Sequence, residues 1–183
     1  MLQKSIIKPK KGWQIIDLNE LFQYKDLLYF MVKKDITVLY KQSILGFLWA
    51  IIRPVFSMII FSIVFGGLAK ISSDGIPYPI FSYVALVPWT YFSTAMTKST
   101  QSLISNAGIF TKVYFPRLII PITPVLAGLV DFFIAFCVIG ILMIYYNFMP
   151  NINIFWVPYL TLIMITFSVG VGTWLSAMAI QYR

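Results

Sequence analysis

Residues 118–146 read LIIPITPVLAGLVDFFIAFCVIGILMIYY, a run of twenty-nine residues with one ionisable acid, Asp131, and no base. A helix rises about 1.5 Å per residue, so about 20 apolar residues cross the ~30 Å hydrocarbon core of a bilayer. This run exceeds that length, and the sequence around it repeats the pattern at 44–68, 80–96 and 155–180. The second of these is the shortest and holds Pro88 near its middle, where a missing backbone hydrogen bond predicts a kink. The pattern predicts an all-α polytopic membrane protein with four transmembrane helices in this chain.

Composition agrees. Of 183 residues, 60% are hydrophobic and 11% charged, with a mean hydropathy of +0.85, against about 25% charged residues in a soluble domain. Eight of the fourteen Lys and Arg precede Ser43, beside apolar runs rather than on a polar domain, so the net charge of +8 speaks for membrane topology and not for nucleic acid. The chain has no histidine and one cysteine, Cys137, which removes imidazole catalysis, histidine zinc ligation, CxxC chemistry and intrachain disulfides. No catalytic residue and no metal site is expected.

Residues 1–19 form a basic tail with no apolar core of the signal-peptide kind. Over 18–36 the apolar residues Leu18, Leu21, Phe22, Leu28, Tyr29, Val32 and Ile36 recur at helical spacing, with Asn19, Gln23, Asp26 and Lys33 turned away. That spacing predicts an amphipathic helix lying on the headgroups. Lys33, Lys34 and Lys41 precede the first span, and 97–117 carries Lys98, Lys112 and Arg117 without an acid; 69–79 and 147–154 hold only Lys70 and Asp74. By the positive-inside rule the first two are cytoplasmic and the last two external, which puts the N-terminus in the cytoplasm.

Arg53 lies in the first span, where a charge faces a cavity or a partner, or reaches back to the headgroups. Trp49, Arg53, Phe56 and Ile60 share one helical face, which makes Trp49, Arg53 and Phe56 candidates for lining a path at its cytoplasmic end. Asp131 costs about 3 kcal/mol or more if ionised against lipid. It is either a substrate or proton site, or a partner in a helix-to-helix hydrogen bond to a Ser or Thr. Aromatic residues make up 17% of the chain. Most belong to interfacial belts, while a minority, Trp89 among the candidates, offer flat faces on which sugar rings stack. The stretch 97–117 is too long for a turn and mixes Leu103, Ile104, Ile109, Phe110, Val113 and Tyr114 with polar residues, as a short amphipathic helix would. No GxxxxGK[ST] P-loop occurs anywhere in the chain, so any ATP that drives it is hydrolysed by another chain.

Four motifs in order, Tyr40-Lys41-Gln42-Ser43-Ile44-Leu45-Gly46-Phe47-Leu48-Trp49, Val87-Pro88-Trp89, Lys112-Val113-Tyr114-Phe115-Pro116-Arg117 and Gly128-Leu129-Val130-Asp131-Phe132, give the chain its resemblance. From 26 onward it resembles the permease subunits of type-2 ABC exporters for O-antigen, capsular polysaccharide and teichoic acid. The resemblance implies one ABC-2-type transmembrane domain over 20–183, a homodimer with a second copy of the permease, and a cytoplasmic ABC ATPase subunit that carries the ATP and Mg. No cofactor is expected in this chain. It also implies an interfacial helix at 20–38 and a coupling loop within 97–117, with Ser105, Asn106, Phe110 and Lys112 meeting the ATPase. The cargo would be a lipid-linked glycan crossing the inner membrane, its phosphate attracted by Lys33, Lys34, Lys41 and Arg53, which also face membrane lipid.

The family has six transmembrane helices, so the domain is expected to be incomplete at its C-terminal end. Thr37 and Leu39 stand where family members often carry bases, which weakens a phosphate role just before Tyr40. Two other classes fit lipid-linked sugars: a membrane-embedded glycosyltransferase or polymerase, and an ion-coupled carrier. The first requires catalytic groups in the outer loops, where only Asp74 stands, and the second several intramembrane ionisable groups, where only Arg53 and Asp131 qualify.

Overall fold

The computed structural model describes residues 18–41, 46–110 and 114–181. Among them no strand occurs, and the helices follow as α1 (Leu18–Gln23), α2 (Lys25–Lys41), α3 (Gly46–Phe61), α4 (Tyr78–Ser105), α5 (Ala107–Phe110), α6 (Ile119–Tyr145) and α7 (Val157–Gln181). A π-helical stretch, Ser62–Leu68, prolongs α3, and a 3-10 turn, Ile152–Trp156, leads into α7. Three of these units are long and apolar enough to cross a membrane: Gly46–Leu68, Ile119–Tyr145 and Ile152–Gln181.

The fourth long helix, α4, has 28 residues, ~42 Å of rise, but its second half is rich in Ser, Thr, Gln and Lys. It tolerates them because it is the central helix, packed along both α6 and α7 and also against α3. Several of its hydroxyls turn back on the helix: Thr90 donates to the Leu86 carbonyl, Thr97 to Ser93, Thr100 to Met96 and Ser105 to Gln101. The helix therefore runs to Ser105, past the end expected at 96, and residues 97–105 are not loop. Pro79 in its first turn needs no amide partner, and the helix continues through Pro88.

Side chains from α4 lock it to α6. Tyr91 donates its hydroxyl to the Val125 carbonyl at 3.2 Å, and Ser99 donates to that of Pro121 at 3.0 Å. The Tyr91 ring lies tilted at 5.2 Å from Phe132 and beside Gly128. Met58, Tyr83, Val87, Val125 and Ala135 complete this core. Against α7 the approach is closer still. Ser168, Gly172 and Ser176, four residues apart on one face of α7, are buried, and Gly172 lies directly against Ser99. Small residues are what let helix backbones approach in lipid.

A second cluster closes one end of the bundle. Leu103, Phe115, Ile119 and Ile120 form it, and Leu21, Tyr24, Leu27, Leu28 and Met31 of α1 and α2 pack onto it. The bundle-facing side of α1 and α2 thus differs from the expected stripe: Phe22 and Tyr29 point away, exposed together with Phe30. The amphipathic segment is also two helices, divided at Tyr24, rather than one over 18–36. At the opposite end, Asp74 and Gly75 both have positive φ, 51° and 82°, and the Ile76 amide returns to the Ser73 carbonyl. This is a type I′ turn, and its exposed Asp74 carboxylate accepts from the Ser72 hydroxyl just ahead of it at 3.2 Å.

Candidate functional site

Helices α2, α3, α4 and α6 leave a cavity of about 360 Å³ between them. Its walls are apolar where Val87, Tyr91, Ala95, Phe132 and Ala135 line it, and polar where Tyr40, Arg53, Thr90, Thr94, Lys98 and Asp131 do. The polar group draws on every one of the four helices. Thr90, Thr94 and Lys98 follow at intervals of four on α4, so they make one stripe down the cavity wall.

Asp131 is half-buried and accepts a hydrogen bond of 2.5 Å from the Tyr40 hydroxyl. Burial first, then that bond and the negative charge of the carboxylate, holds the Tyr40 hydroxyl well above its ordinary tyrosine value. A helix-to-helix hydrogen bond is therefore present, but its donor is Tyr40 of α2 and not the Ser or Thr expected. Arg53 lies over the Trp49 ring at 5.4 Å, a cation–π contact that fixes the guanidinium against the α3 wall. Among the described residues the one ion pair is Lys34 with Asp35, at 3.3 Å, so neither Arg53 nor Lys98 is paired with a carboxylate there.

A smaller cavity of about 200 Å³ adjoins the first and shares Lys98 and Pro124 with it. Lys34, Asp35, Gln101, Ser105 and Asn106 stand around it, between α2 and the C-terminal end of α4. Asn106 ends α4, its side-chain amide donating to the Ser102 carbonyl at 2.8 Å.

The structure thus brings together Trp49, Arg53 and Asp131 in one cavity, and Lys34, Ser105 and Asn106 in its neighbour. Phe56 and Trp89 are elsewhere, both more than half exposed on the outside of the bundle. Three residues beyond Arg53, Phe56 is turned by about 60° from it, enough to leave the cavity wall. Lys33 is exposed beside the Tyr29 ring, and Lys41 is exposed at the end of α2, neither lining a cavity. Phe110 is the last residue of α5, while the Phe110 side chain and Lys112 lie outside the described residues, as do positions 42–45 of the Tyr40 motif. Sequence reasoning missed Lys98, Thr90, Thr94 and the role of Tyr40. The signal for the first three was the four-residue stripe, hidden because Lys98 counted as a loop charge.

Comparison with known proteins follows the same residues. The family model described as ABC-2 type transporter matches residues 26–183. An O-antigen export system permease protein RfbA of Myxococcus xanthus is 29% identical over 167 residues, which is 91% of this chain and 63% of that protein. One of the same name from Klebsiella pneumoniae is 31% identical over 159 residues, 86% of this chain and 61% of its own length. The polysialic acid transport protein KpsM of Escherichia coli is 32% identical over 66 residues, 36% of this chain and 26% of its own. The chain spans about three-fifths of the length of the first two relatives.

Proposed function

The chain belongs to the ABC-2 type transporter family, and we propose that it is the membrane-spanning part of an ATP-driven exporter of lipid-linked polysaccharide. The observation that carries this reading is the similarity to O-antigen export permeases along 86–91% of the chain.

In this reading α4 is a fourth crossing, covered on its polar flanks by α6 and α7, and the N-terminus faces the cytoplasm of a cell whose inner membrane holds the protein. Helices α1 and α2 lie at the interface, with Phe22, Tyr29 and Phe30 toward lipid and Leu27, Leu28 and Met31 on the bundle. A separate ATPase chain, carrying ATP and Mg, docks on α2 and on the segment that includes Ser105, Asn106, Phe110 and Lys112. A second copy of the permease completes the path. Because α2 rests on the Leu103 cluster and is tied to Asp131 by Tyr40, movement of the ATPase would reach α4 and α6 together. Lys33, Lys34, Lys41 and Arg53 attract the phosphate of the lipid-linked glycan, and Trp49 and Asp131 stand where its head would pass.

The test is co-purification and export. The tagged protein, extracted from its native membrane in mild detergent, should retain an ATPase chain, and its loss from the host should leave lipid-linked glycan on the cytoplasmic face. If no ATPase is retained and surface glycan persists in its absence, the exporter reading is wrong.

A further inference from the structure

We propose that the cavity between α2, α3, α4 and α6 is a phosphate-binding site inside one protomer, held by Arg53 and Lys98 with Lys34 at its mouth. The proposal adds Lys98 and a location to the exporter reading, and only the identity of the lipid that brings the phosphate rests on that reading.

Charge comes first. Arg53 and Lys98 line one cavity with a single acid, Asp131, and that acid is engaged by Tyr40 rather than by either base. Neither base has a carboxylate partner among the described residues, so the cavity carries an uncompensated positive charge. Cations in this setting persist where an anion or water meets them. Depth comes second. Arg53 is seven residues from the start of α3 and Lys98 seven residues from the end of α4, and the two helices run in opposite directions. Both bases therefore sit ~10 Å in from the same end of the bundle, near the boundary of headgroups and acyl chains.

Lys98 cannot escape this position as easily as Arg53. Side chains lean toward the N-terminus of their helix, which carries Arg53 back toward the bundle end but carries Lys98 inward. Around them the chemistry suits a phosphate ester. The guanidinium, fixed over Trp49, offers a planar pair of donors, Lys98 a compact charge, and Thr94 a hydroxyl with no partner among the described residues. Arg53, Thr94 and Lys98 are exposed in this open cavity, and Val87, Tyr91 and Phe132 form the apolar wall behind them. A volume of about 360 Å³ holds a phosphate or diphosphate with the first carbons of its chain. Lys34, lining the adjoining cavity that shares Lys98, marks the way in.

The experiment is native mass spectrometry of the intact exporter complex in uncharged detergent, titrated separately with inorganic phosphate, phosphatidylglycerol and a polyprenyl phosphate. We expect a saturable adduct of one phosphate-bearing molecule per protomer. Arg53→Gln and Lys98→Gln should each raise the half-saturating concentration roughly tenfold, the loss of one hydrogen bond to a charged group. Lys25→Gln and Lys70→Gln, exposed and outside both cavities, should leave it unchanged. Should Arg53→Gln fail to fold, Arg53→Lys and Thr94→Val provide milder losses of the same kind. Preference among the three probes tells a carrier lipid from a bulk headgroup or free phosphate. Absence of any adduct, or an adduct weakened as much by Lys25→Gln and Lys70→Gln as by the cavity variants, overturns the site. ATPase retention in the same samples is scored independently: ATPase without adduct removes the site alone, and adduct without ATPase removes the exporter reading alone.

Discussion

The Tyr40 hydroxyl, in the last turn of α2, donates to the Asp131 carboxylate at the middle of α6 across 91 residues of sequence. Removing the donor alone leaves a half-buried carboxylate short of a partner, which costs more than the net worth of the bond. Tyr40→Phe should destabilise the protein by about 1.5–3 kcal/mol. Replacing both ends by apolar groups, as in Tyr40→Phe with Asp131→Leu, should restore a good part of that loss. A double-mutant cycle on unfolding in detergent measures the coupling, expected within about 0.5–3 kcal/mol. A coupling near zero would mean that the two residues do not act as a pair.

The same contact has a pH signature. In the unfolded chain a tyrosine loses its proton near pH 10, while the folded protein holds that of Tyr40 to higher pH through burial and the bond to Asp131. Below pH 10 the contribution is complete. As pH rises beyond it, the unfolded state releases a proton that the folded state keeps, so unfolding becomes easier and the contribution is progressively lost. The alkaline limb of stability against pH should be steeper in the native protein than in Tyr40→Phe. Superimposable limbs above pH 10 would contradict the shift.

These two residues also show where sequence reading stops. Long apolar runs are legible because lipid as solvent demands them, and that is why α3, α6 and α7 lie where hydropathy puts them. The polar half of α4 is not legible in that way, since Thr97, Lys98, Gln101 and Ser105 look like loop until the Thr97 and Ser105 hydroxyls are seen bonded to their own helix. Nothing in spacing connects Tyr40 to Asp131. Nor can an apolar stripe tell a cavity wall from a lipid face, so Trp49 and Phe56 look equivalent in sequence although only Trp49 lines the cavity.

Gly172 sets how closely α7 approaches α4. A methyl group there would stand 2.7 Å from Ser99 Cβ and would also strike Ser99 Oγ, the atom that bonds the Pro121 carbonyl. The conflict is with the near end of a short, buried side chain, so neither helix can yield by a rotamer change. Gly172→Ala should cost about 1–3 kcal/mol, the range for overpacking a filled core. Ser99→Gly should recover part of the loss when combined with it, because the opposing atoms are then gone. Thermal unfolding of the three variants decides the point, and a Gly172→Ala protein as stable as the parent would show that the contact is looser than described.

Orientation can be tested with thiols, since Cys137 is the one native cysteine and Cys137→Ala removes it. Ser105 is exposed at the end of α4, beside the cavity that Lys34 lines, and Ser72 is exposed in the turn at the other end of the same helix. About 42 Å of α4 separates these ends, the thickness of a bilayer with its headgroups. In the arrangement proposed here, Ser72→Cys should react with a membrane-impermeant maleimide in intact spheroplasts. Ser105→Cys should react only after the membrane is opened. Labelling of Ser105→Cys in unbroken cells would place α5 outside, beyond the reach of an ATPase, and would remove the coupling role from that whole end of the bundle.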